Sequence, residues 1–239
     1  MWQRLRNVLV SEKIEGKVVY VLGIVLLVQF IYPITETGNP ALLLVYQVVY
    51  ASLILAGIII TRNNPRLVRL LIVFGVALIA AGASYTFNQD AVWANLTGYL
   101  AYIAFDVVVT WTLLKYLFET RTITRDVIYA AVAVYLLLGA VFVPVYGLVD
   151  TLTFELSDGA QHAFVGGSTG ADEVFAWQDF IYYSYVTLTT LGYGDILPVT
   201  MVAKAAVTLE AIVGVMYLTI IMARLVSLYS ADFSREPAE

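Results

Sequence analysis

The sequence predicts an all-α integral membrane protein with six transmembrane helices. The first observation is composition: 61% of the 239 residues are hydrophobic and 13% are charged, with a mean hydropathy of +0.84. Globular proteins are closer to half apolar and a quarter charged. The second observation is a series of apolar runs that can each cross a bilayer. The third is that the basic residues fall almost entirely into alternate connections between those runs.

Six apolar runs account for the predicted transmembrane helices. About 20 apolar residues are needed to span the hydrocarbon core of a membrane. The runs are residues 17–31, 41–60, 67–84, 93–118, 127–149 and 199–229. The first is the shortest, whereas the fourth and sixth are long enough to tilt or to extend past the lipid headgroups.

A further segment between the fifth and sixth runs does not cross the membrane. Residues 175–198 are too short and too polar to cross it twice. Such a segment fits a re-entrant helix followed by an extended loop. Non-helical backbone is tolerated at membrane depth only where protein or a water-filled path surrounds it. The predicted architecture is therefore six transmembrane helices plus one re-entrant helix and its loop.

The basic residues predict that both termini are cytoplasmic. All but one of the 13 Lys and Arg residues lie before the first run, in the second–third and fourth–fifth connections, or at the end of the sixth run. Lys204 is the exception. The positive-inside rule places these regions in the cytoplasm. The opposite connections carry acids: Glu36, Asp90, Asp150, Glu155, Asp158, Asp172, Glu173, Asp179 and Asp195.

Composition also excludes several kinds of site. The chain has no cysteine, so neither disulfides nor thiolate metal sites are available. The single histidine, His162, cannot form a metal site alone, and we expect it to be a solvated residue of a polar loop. The net charge of −5 and a pI of about 4.9 argue against a nucleic-acid partner.

The most informative motif is Thr-Thr-Leu-Gly-Tyr-Gly-Asp at residues 189–195. Gly192 and Gly194 flank Tyr193, and glycine reaches positive φ at almost no steric cost. Successive residues can therefore alternate between right- and left-handed conformations, which turns consecutive carbonyl oxygens to one side. Four copies around an axis would form stacked oxygen rings that replace the water around a monovalent cation. The Thr190 hydroxyl could add one more ring.

This motif resembles the selectivity signature of tetrameric potassium channels, Thr-Val-Gly-Tyr-Gly. The departure is Leu191, which stands where the family has Val or Ile. The resemblance implies a homotetramer in the lipid bilayer, with K⁺ as the permeant ion and no organic cofactor. It also implies that K⁺ is bound by the filter residues Thr190, Leu191, Gly192, Tyr193 and Gly194.

The resemblance extends to the support of the filter. Residues 177–189 would form the pore helix, with Asp179 near its start. Tyr182 and Tyr183 would brace Tyr193, and Thr187 and Thr189 would also support the filter. Val186 stands where some relatives carry a glutamate that pairs with the aspartate after the filter. We therefore expect Asp195 to accept from Tyr183 or from an outer backbone amide.

The sixth run would be the inner helix of the pore. Gly214 corresponds in position to a family glycine, and either a gating hinge or close packing would explain it. The family pattern points Val215, Leu218 and Met222 toward the cavity or its cytoplasmic entrance. We expect Glu210 to face the back of the pore helix and to bond Ser184, Thr187 or a tyrosine. The alternative is a cavity-facing acid that attracts ions.

The fourth run lacks the arginine array of a voltage sensor. Residues 93–118 contain no arginine and only Lys115 near one end. Asp106 lies near the middle of this run and is the one acid in the first five runs that we expect to be buried. It is either a structural acid bonded to Tyr102 and Thr110, one turn away, or a proton-sensitive element.

Four regions follow from this interpretation. Residues 1–16 form a cytoplasmic or interfacial segment, and residues 17–122 form a peripheral four-helix bundle. Residues 123–230 form the pore domain, and residues 231–239 form a short cytoplasmic tail. The sequence contains no recognisable cytoplasmic ligand-binding domain.

The predicted function is passive, potassium-selective conduction across the cell membrane. The chain shows no catalytic constellation of the kind that enzymes use, so we do not expect an enzyme. Three alternatives remain open: a less selective monovalent cation channel, a proton-coupled secondary transporter that uses Asp106 and Glu210, and a silent regulatory subunit. Transporters often contain repeated halves, and none is visible here.

We expect conduction to depend weakly on voltage. Each elementary charge moved through the field supplies about 2.3 kcal/mol per 100 mV, and a steep sensor needs several charges per subunit. Lys115 alone cannot supply them. A conductance–voltage curve recorded in planar bilayers should be shallow, and a curve that requires several gating charges per subunit would contradict this expectation.

Overall fold

The described part of the chain forms six long apolar helices and one short helix. A computed structural model describes residues 16, 18–61, 64–89, 91–120, 122–166 and 175–233. The helices are α1 Val18–Ile31, α2 Pro40–Thr61, α3 Pro65–Phe87, α4 Val92–Glu119, α5 Arg125–Leu156, α6 Trp177–Leu188 and α7 Met201–Phe233. A 3-10 turn, Tyr32–Thr35, follows α1, and two short strands are β1 Phe164–Gly166 and β2 Ile196–Pro198.

Six of these helices match the predicted transmembrane runs. Within the described ranges, α1 with its 3-10 turn, α2, α3, α4, α5 and α7 are each long and apolar enough to cross a membrane. The short helix α6 lies between α5 and α7, where the re-entrant segment was predicted. Most helix ends fall within a few residues of the predicted ends, because apolar runs and their polar connections are visible in the sequence.

Helix α5 is longer than predicted, and the difference has a physical cause. The apolar run ends at Val149, but the helix continues to Leu156. Asp150 lies inside it and is buried, because its carboxylate accepts hydrogen bonds from the amides of Ala163 and Phe164 at 2.8 and 3.3 Å. Asp126 in the first turn is also buried and accepts from the Gly16 amide at 2.7 Å. Asp106 is therefore not the only buried acid of the first five helices.

Local signals explain why α2 and α3 begin where they do. Asn64 precedes α3, and its side chain accepts from the amides of Arg66 and Leu67 while Pro65 occupies the first turn. Asn39 accepts from the Ala41 amide at 2.9 Å just before α2. Asparagine caps and N-terminal prolines satisfy or remove the amides that a helix start leaves unpaired. The short connections bring neighbouring helices into contact along the bundle.

Helix α5 joins the peripheral bundle to the C-terminal helices. It packs against α1 and α4 on one side and against α6 and α7 on the other. One face of α1, formed by Val18, Val21, Val25 and Val28, is buried in the same core as α5 residues such as Val134. The 3-4-3 spacing of these valines places them on one side of a helix. The bundle and the C-terminal helices therefore share a continuous apolar core.

Helix α7 is attached to its neighbours by side chains that reach backbone carbonyls. Tyr217 donates to the carbonyl of Ala131 in α5 at 2.7 Å. Arg224 donates to the carbonyls of Phe118 and Thr120, at 3.1 and 2.6 Å, where α4 ends. A cation at a helix C-terminus satisfies the last carbonyls and complements the helix dipole. Arg224 thus links the end of α4 to α7.

Two short strands were not predicted. Strands β1 and β2 pair antiparallel, with Phe164 opposite Pro198 and Gly166 opposite Ile196. Each has three residues, too few for an alternating pattern to be visible in the sequence. The pairing ties the loop after α5 to the chain that immediately follows residues 189–195.

His162 is not the solvated loop residue that the sequence predicted. Its ring stacks on Phe154 with centroids 4.5 Å apart, and its Nδ1 lies 2.9 Å from Asp150 Oδ2. Its side chain is 17% exposed. The reason is the extension of α5, which carries Asp150 and Phe154 up to the loop that leads into β1.

Several predictions concern residues outside the described ranges. The interfacial helix proposed for residues 1–16 falls there except for Gly16, and so do residues 234–239 of the predicted tail. Many charges that predicted the orientation lie there as well: Arg4, Arg6, Lys13, Lys17, Arg62, Asp90, Arg121, Asp172, Glu173 and Arg235. The cytoplasmic location of the termini therefore stays a prediction.

Candidate functional site

The candidate site is the TTLGYGD segment, Thr189–Asp195, which connects α6 to β2. Helix α6 begins at Trp177, and the Asp179 carboxylate accepts from the Ala176 amide at 2.8 Å. An acid in the first turn favours the helix start through its hydrogen bond and the helix dipole. The helix ends at Leu188, so the TTLGYGD segment begins at the next residue.

The backbone of this segment alternates in the sign of φ. Thr190, Gly192 and Gly194 have φ values of 60°, 53° and 77°, whereas the intervening Leu191 and Tyr193 are not in the positive-φ region. The sequence predicted this alternation for the two glycines but not for Thr190. A residue with a β-carbon at positive φ costs on the order of 1–3 kcal/mol. Thr190 is thus held in this conformation by its surroundings.

Three consecutive amides of the segment turn back toward α6. The Thr190 amide donates to the Thr187 carbonyl at 2.9 Å, and the Leu191 and Gly192 amides donate to the Val186 carbonyl at 3.0 and 3.2 Å. Alternating right- and left-handed residues place successive amides on one side of the chain. In the hydrogen bonds among described residues, no carbonyl of residues 190–194 serves as acceptor. Among the described residues these carbonyl oxygens are therefore unpaired.

The segment is exposed in a single chain. All residues from Thr189 to Asp195 are exposed, including Leu191 at 54% and Tyr193 at 67%. The brace of Tyr193 that the resemblance implies for Tyr182 and Tyr183 stays a prediction. An apolar or aromatic surface of this kind is typical of a protein interface.

Asp195 is bonded to Tyr182, not to Tyr183. The Tyr182 hydroxyl donates to Asp195 Oδ2 at 2.5 Å, and the Ile196 amide donates to Oδ1 at 3.1 Å. The hydrogen bond to Asp195 raises the pKa of Tyr182 to about 12, so Tyr182 remains a donor at neutral pH. Tyr183 follows one position later in the helix and turns inward, where its ring packs edge-on against Tyr146 and Phe164.

Glu210 joins three helices behind the TTLGYGD segment. It is fully buried in α7, and Ser184 of α6 donates to its Oε1 at 2.5 Å. Tyr146 of α5 donates to its Oε2. The expected partners were Ser184, Thr187 or a tyrosine, and the structure shows Ser184 and Tyr146. The sequence could not indicate which tyrosine bonds to Glu210, because Tyr146 lies 64 positions away in an apolar run.

Further hydrogen bonds hold the C-terminal half of α6. Tyr185 donates to the Leu136 carbonyl at 2.7 Å, and Tyr135 donates to the Leu188 carbonyl at 3.1 Å. The Thr189 hydroxyl donates to the Tyr185 carbonyl at 2.6 Å. The Thr187 side chain is hydrogen-bonded to Tyr183. The end of α6 is therefore attached to α5 on one side and to its own last turn on the other.

Gly214 allows α7 to approach the end of α6. A β-carbon at this position would lie 2.8 Å from Leu188 Cδ1 and 3.0 Å from the Leu188 carbonyl oxygen. Helix α7 continues without interruption through Gly214. Of the two explanations that the sequence left open, the close approach is the one that the contacts support.

The three residues assigned to the cavity lie on an exposed face of α7. Val215, Leu218 and Met222 are 48%, 44% and 60% exposed. Their spacing of three and four places them on one side of the helix. Tyr217 and Ile221, on the other side, are buried against the core that contains α5. The exposed face is apolar and unoccupied by the rest of the described chain.

Asp106 belongs to a separate polar cluster in the peripheral bundle. It is fully buried, and the Tyr50 hydroxyl of α2 donates to its Oδ1 at 2.6 Å. The predicted partners were wrong. Tyr102 donates instead to Gln47 at 2.7 Å, and within the described residues Thr110 Oγ1 has no partner. The sequence could not reveal Tyr50, because it lies 56 positions away on another helix.

Among the described residues, side-chain metal ligands are not grouped at this site. In the part of the chain that the structure describes, no group of three or more His, Cys, Asp or Glu side chains could hold a metal ion. The free oxygens of the TTLGYGD segment are backbone carbonyls and the Thr190 hydroxyl. Such oxygens suit a dehydrated monovalent cation when several chains contribute them.

Comparison with known proteins supports an ion channel. Residues 130–231 match a family model described as an ion channel. The match covers most of α5, all of α6 and the TTLGYGD segment, and nearly all of α7. No curated protein and no solved structure matches the chain. With the six apolar helices, the match indicates a multi-pass membrane protein that contains an ion-channel domain.

We expect loss of the Glu210 carboxylate to destabilise the protein. Glu210→Ala leaves the buried hydroxyl of Tyr146 without an acceptor, at a cost of about 1–3 kcal/mol, whereas Ser184 keeps the Gly139 carbonyl at 2.9 Å. The thermal unfolding midpoint in detergent should fall markedly. Glu155→Gln, which changes an exposed acid of α5, is the control and should have little effect. Equal midpoints for the two variants would contradict a structural role.

We expect Gly214→Ala to be destabilising, because the new methyl group meets the Leu188 backbone. Overpacking of this kind costs about 1–3 kcal/mol. Gly98→Ala in α4 is the matched control, since a β-carbon there has no atom within 4 Å. The measurement is the thermal midpoint of both variants. A Gly214→Ala protein that is as stable as wild type but fails to open would favour the hinge.

Proposed function

We propose that the chain forms a potassium-selective channel in which four copies bring their TTLGYGD segments together around one axis. The observation that carries the proposal is the alternation of φ from Thr190 to Gly194, with the amides bonded back to α6. This conformation leaves a row of carbonyl oxygens on the opposite side. The proposed K⁺ ligands are the carbonyls of Thr190, Leu191, Gly192 and Tyr193 and the Thr190 hydroxyl.

Four copies are proposed because one chain supplies only one row of carbonyl oxygens. A single row of oxygens cannot surround an ion, and closed cyclic assembly supplies the remaining rows. The exposure of the TTLGYGD segment and of the apolar α7 face supports this arrangement, because both surfaces require a cover other than water. In the proposed tetramer, Val215, Leu218 and Met222 line the inner cavity, and a neighbouring copy packs against Tyr193.

The surroundings of Glu210 support a structural role in this channel. The carboxylate has hydrogen-bond partners on α5 and α6 and lies behind the helix that leads to the proposed filter. Asp106 has its partner on α2 and shares no hydrogen-bond partner with Glu210. A proton-coupled transporter that uses both acids would need a path between them. The two separate clusters favour passive conduction instead.

The location of the proposed channel follows from the charge pattern. The positive-inside rule favours a cell-membrane protein with both termini in the cytoplasm. The acidic residues Glu36, Asp150, Asp179 and Asp195 would then lie on the outer side, where negative potential concentrates cations.

We expect purified protein in liposomes to pass K⁺ in preference to Na⁺. The permeability ratio should be at least roughly tenfold, which corresponds to about 1.4 kcal/mol of discrimination. The measurement is the reversal potential with K⁺ and Na⁺ on opposite sides. Equal permeability would favour the less selective cation channel, and the absence of any flux would favour a silent regulatory subunit.

A glycine pair provides the matched variants for this test. Gly192→Ala places a β-carbon at φ 53°, which should disturb the carbonyl row and reduce the K⁺/Na⁺ ratio. Gly38→Ala imposes a similar backbone strain at φ 64° in the α1–α2 connection, away from the proposed filter. It should preserve the ratio. If both variants retain wild-type selectivity, the carbonyl row is not the selective element.

A further inference from the structure

A cavity lies in the peripheral bundle, outside the proposed conduction path. It has a volume of about 80 Å³, several times the roughly 10–15 Å³ that one water molecule requires. It extends from Thr86 and Asn95, beside the α3–α4 connection, to Asp106 in the middle of α4. Residues of α2, α5 and the first turn of α6 complete its wall.

One wall of the cavity is a row of aromatic rings. Trp177 and Tyr46 have ring centroids 5.2 Å apart, and Tyr46 and Tyr50 have centroids 5.9 Å apart. The Tyr102 ring meets Tyr50 edge-on at 4.9 Å. All four rings line the cavity. Aromatic faces carry negative charge density and attract cations that approach within about 6 Å.

The carboxyl group of Asp106 provides a free acceptor in the same cavity. Its Oδ1 accepts from Tyr50, but its Oδ2 is buried and has no hydrogen-bond partner among the described residues. Gln47 does not bond to Oδ2: its Nε2 donates to the Leu78 carbonyl and its Oε1 accepts from Tyr102. A buried acceptor without a partner is costly, so a bound donor or cation would relieve the cost.

The charges around the cavity favour a cation. Of the residues that line it, none is Lys, Arg or His, and Asp106 is the one carboxylic acid. A bare metal ion such as Ca²⁺ takes six to eight oxygen ligands, several of them carboxylates, whereas this cavity offers a single carboxyl group. An ammonium group with methyl or alkyl substituents fits better, because it binds to aromatic faces and pairs with a single carboxylate.

We propose that this cavity binds a small organic cation that carries an alkylammonium group. The aromatic row of Trp177, Tyr46, Tyr50 and Tyr102 faces the alkyl groups, and Asp106 Oδ2 pairs with the positive charge. The site does not depend on the proposed potassium selectivity, because none of its residues belongs to the TTLGYGD segment.

The cavity also contacts the helix that precedes the TTLGYGD segment. Trp177 is the first residue of α6 and Ile181 lies one turn further, and both line the cavity. The adjacent Gln178 donates to Thr35 at 3.1 Å, which attaches the same helix start to the turn after α1. A bound cation therefore touches α6 directly and is placed to act as a regulator of the domain that α6 belongs to.

The fluorescence of Trp177 provides a direct test. Trp2, Trp93 and Trp111 are replaced by Phe, which leaves Trp177 as the one tryptophan. The protein, in a maltoside detergent, is titrated with choline and with 3,3-dimethyl-1-butanol, an uncharged compound of the same shape. We expect a saturable change with choline and at least roughly tenfold weaker binding of the alcohol, since the cation is what the site recognises. Equal affinities would overturn the proposal without any further variant.

Two further variants locate the binding site. Asp106→Asn keeps the shape of the side chain but removes the charge and should abolish the choline signal. Asp158→Asn is the matched control, because it removes the charge of an exposed aspartate outside the cavity and should retain binding. A choline molecule bound at the TTLGYGD segment would be insensitive to Asp106→Asn, so an unchanged signal in that variant would overturn the proposal.

A last comparison identifies the source of the cation. The titration is repeated in nanodiscs of phosphatidylcholine and of phosphatidylglycerol. Weaker choline binding in phosphatidylcholine would support the proposed cation site and indicate that a lipid headgroup competes for it. Equal choline binding in both lipids would support the proposed site and indicate a soluble cation as its ligand. If choline binds in neither lipid, the proposal is wrong.

Discussion

The carbonyl oxygen of Val186 constrains the chain more than any other single acceptor at the site. It receives the amides of both Leu191 and Gly192, which forces the TTLGYGD segment to fold back along the end of α6. The Thr190 amide bonds to the Thr187 carbonyl and the Leu191 amide to the Val186 carbonyl, which is the pattern of a Schellman cap after α6. Thr190 occupies the left-handed position of this cap, which explains its positive φ. The strain at Thr190 is offset by these hydrogen bonds and by the fixed position of α6.

The position of α6 depends in turn on side chains from two other helices. Tyr135 of α5 reaches the last carbonyl of α6, and Glu210 of α7 accepts from Ser184 in its middle. Gly214 lets α7 lie against Leu188 without a steric conflict. These contacts surround a short helix, half of whose residues are buried. A carboxylate in an apolar layer is expensive unless it is fully hydrogen-bonded, and Glu210 has a partner for each oxygen.

The peripheral bundle is more than a scaffold around these helices. Its core continues into α5, and its aromatic cavity reaches Trp177 at the start of α6. Asp106 and Trp177 line this same cavity, whereas Glu210 accepts a hydrogen bond from Ser184 in the middle of α6. The peripheral bundle and α7 therefore contact α6 at different points.

Hydropathy and glycine are local signals, so the six apolar helices, the position of the short helix α6 and the positive φ of Gly192 and Gly194 could be predicted from the sequence. The side-chain partners could not, because they come from distant parts of the chain. Tyr50 and Tyr146 became the partners of Asp106 and Glu210 from positions 56 and 64 residues away. Tyr182, rather than the expected Tyr183, bonds to Asp195. His162 contacts Asp150, which lies in the C-terminal part of α5 beyond its predicted end. Such pairs depend on which helices are neighbours and on which of their faces are in contact. Packing across the whole bundle determines both, and no local sequence pattern does.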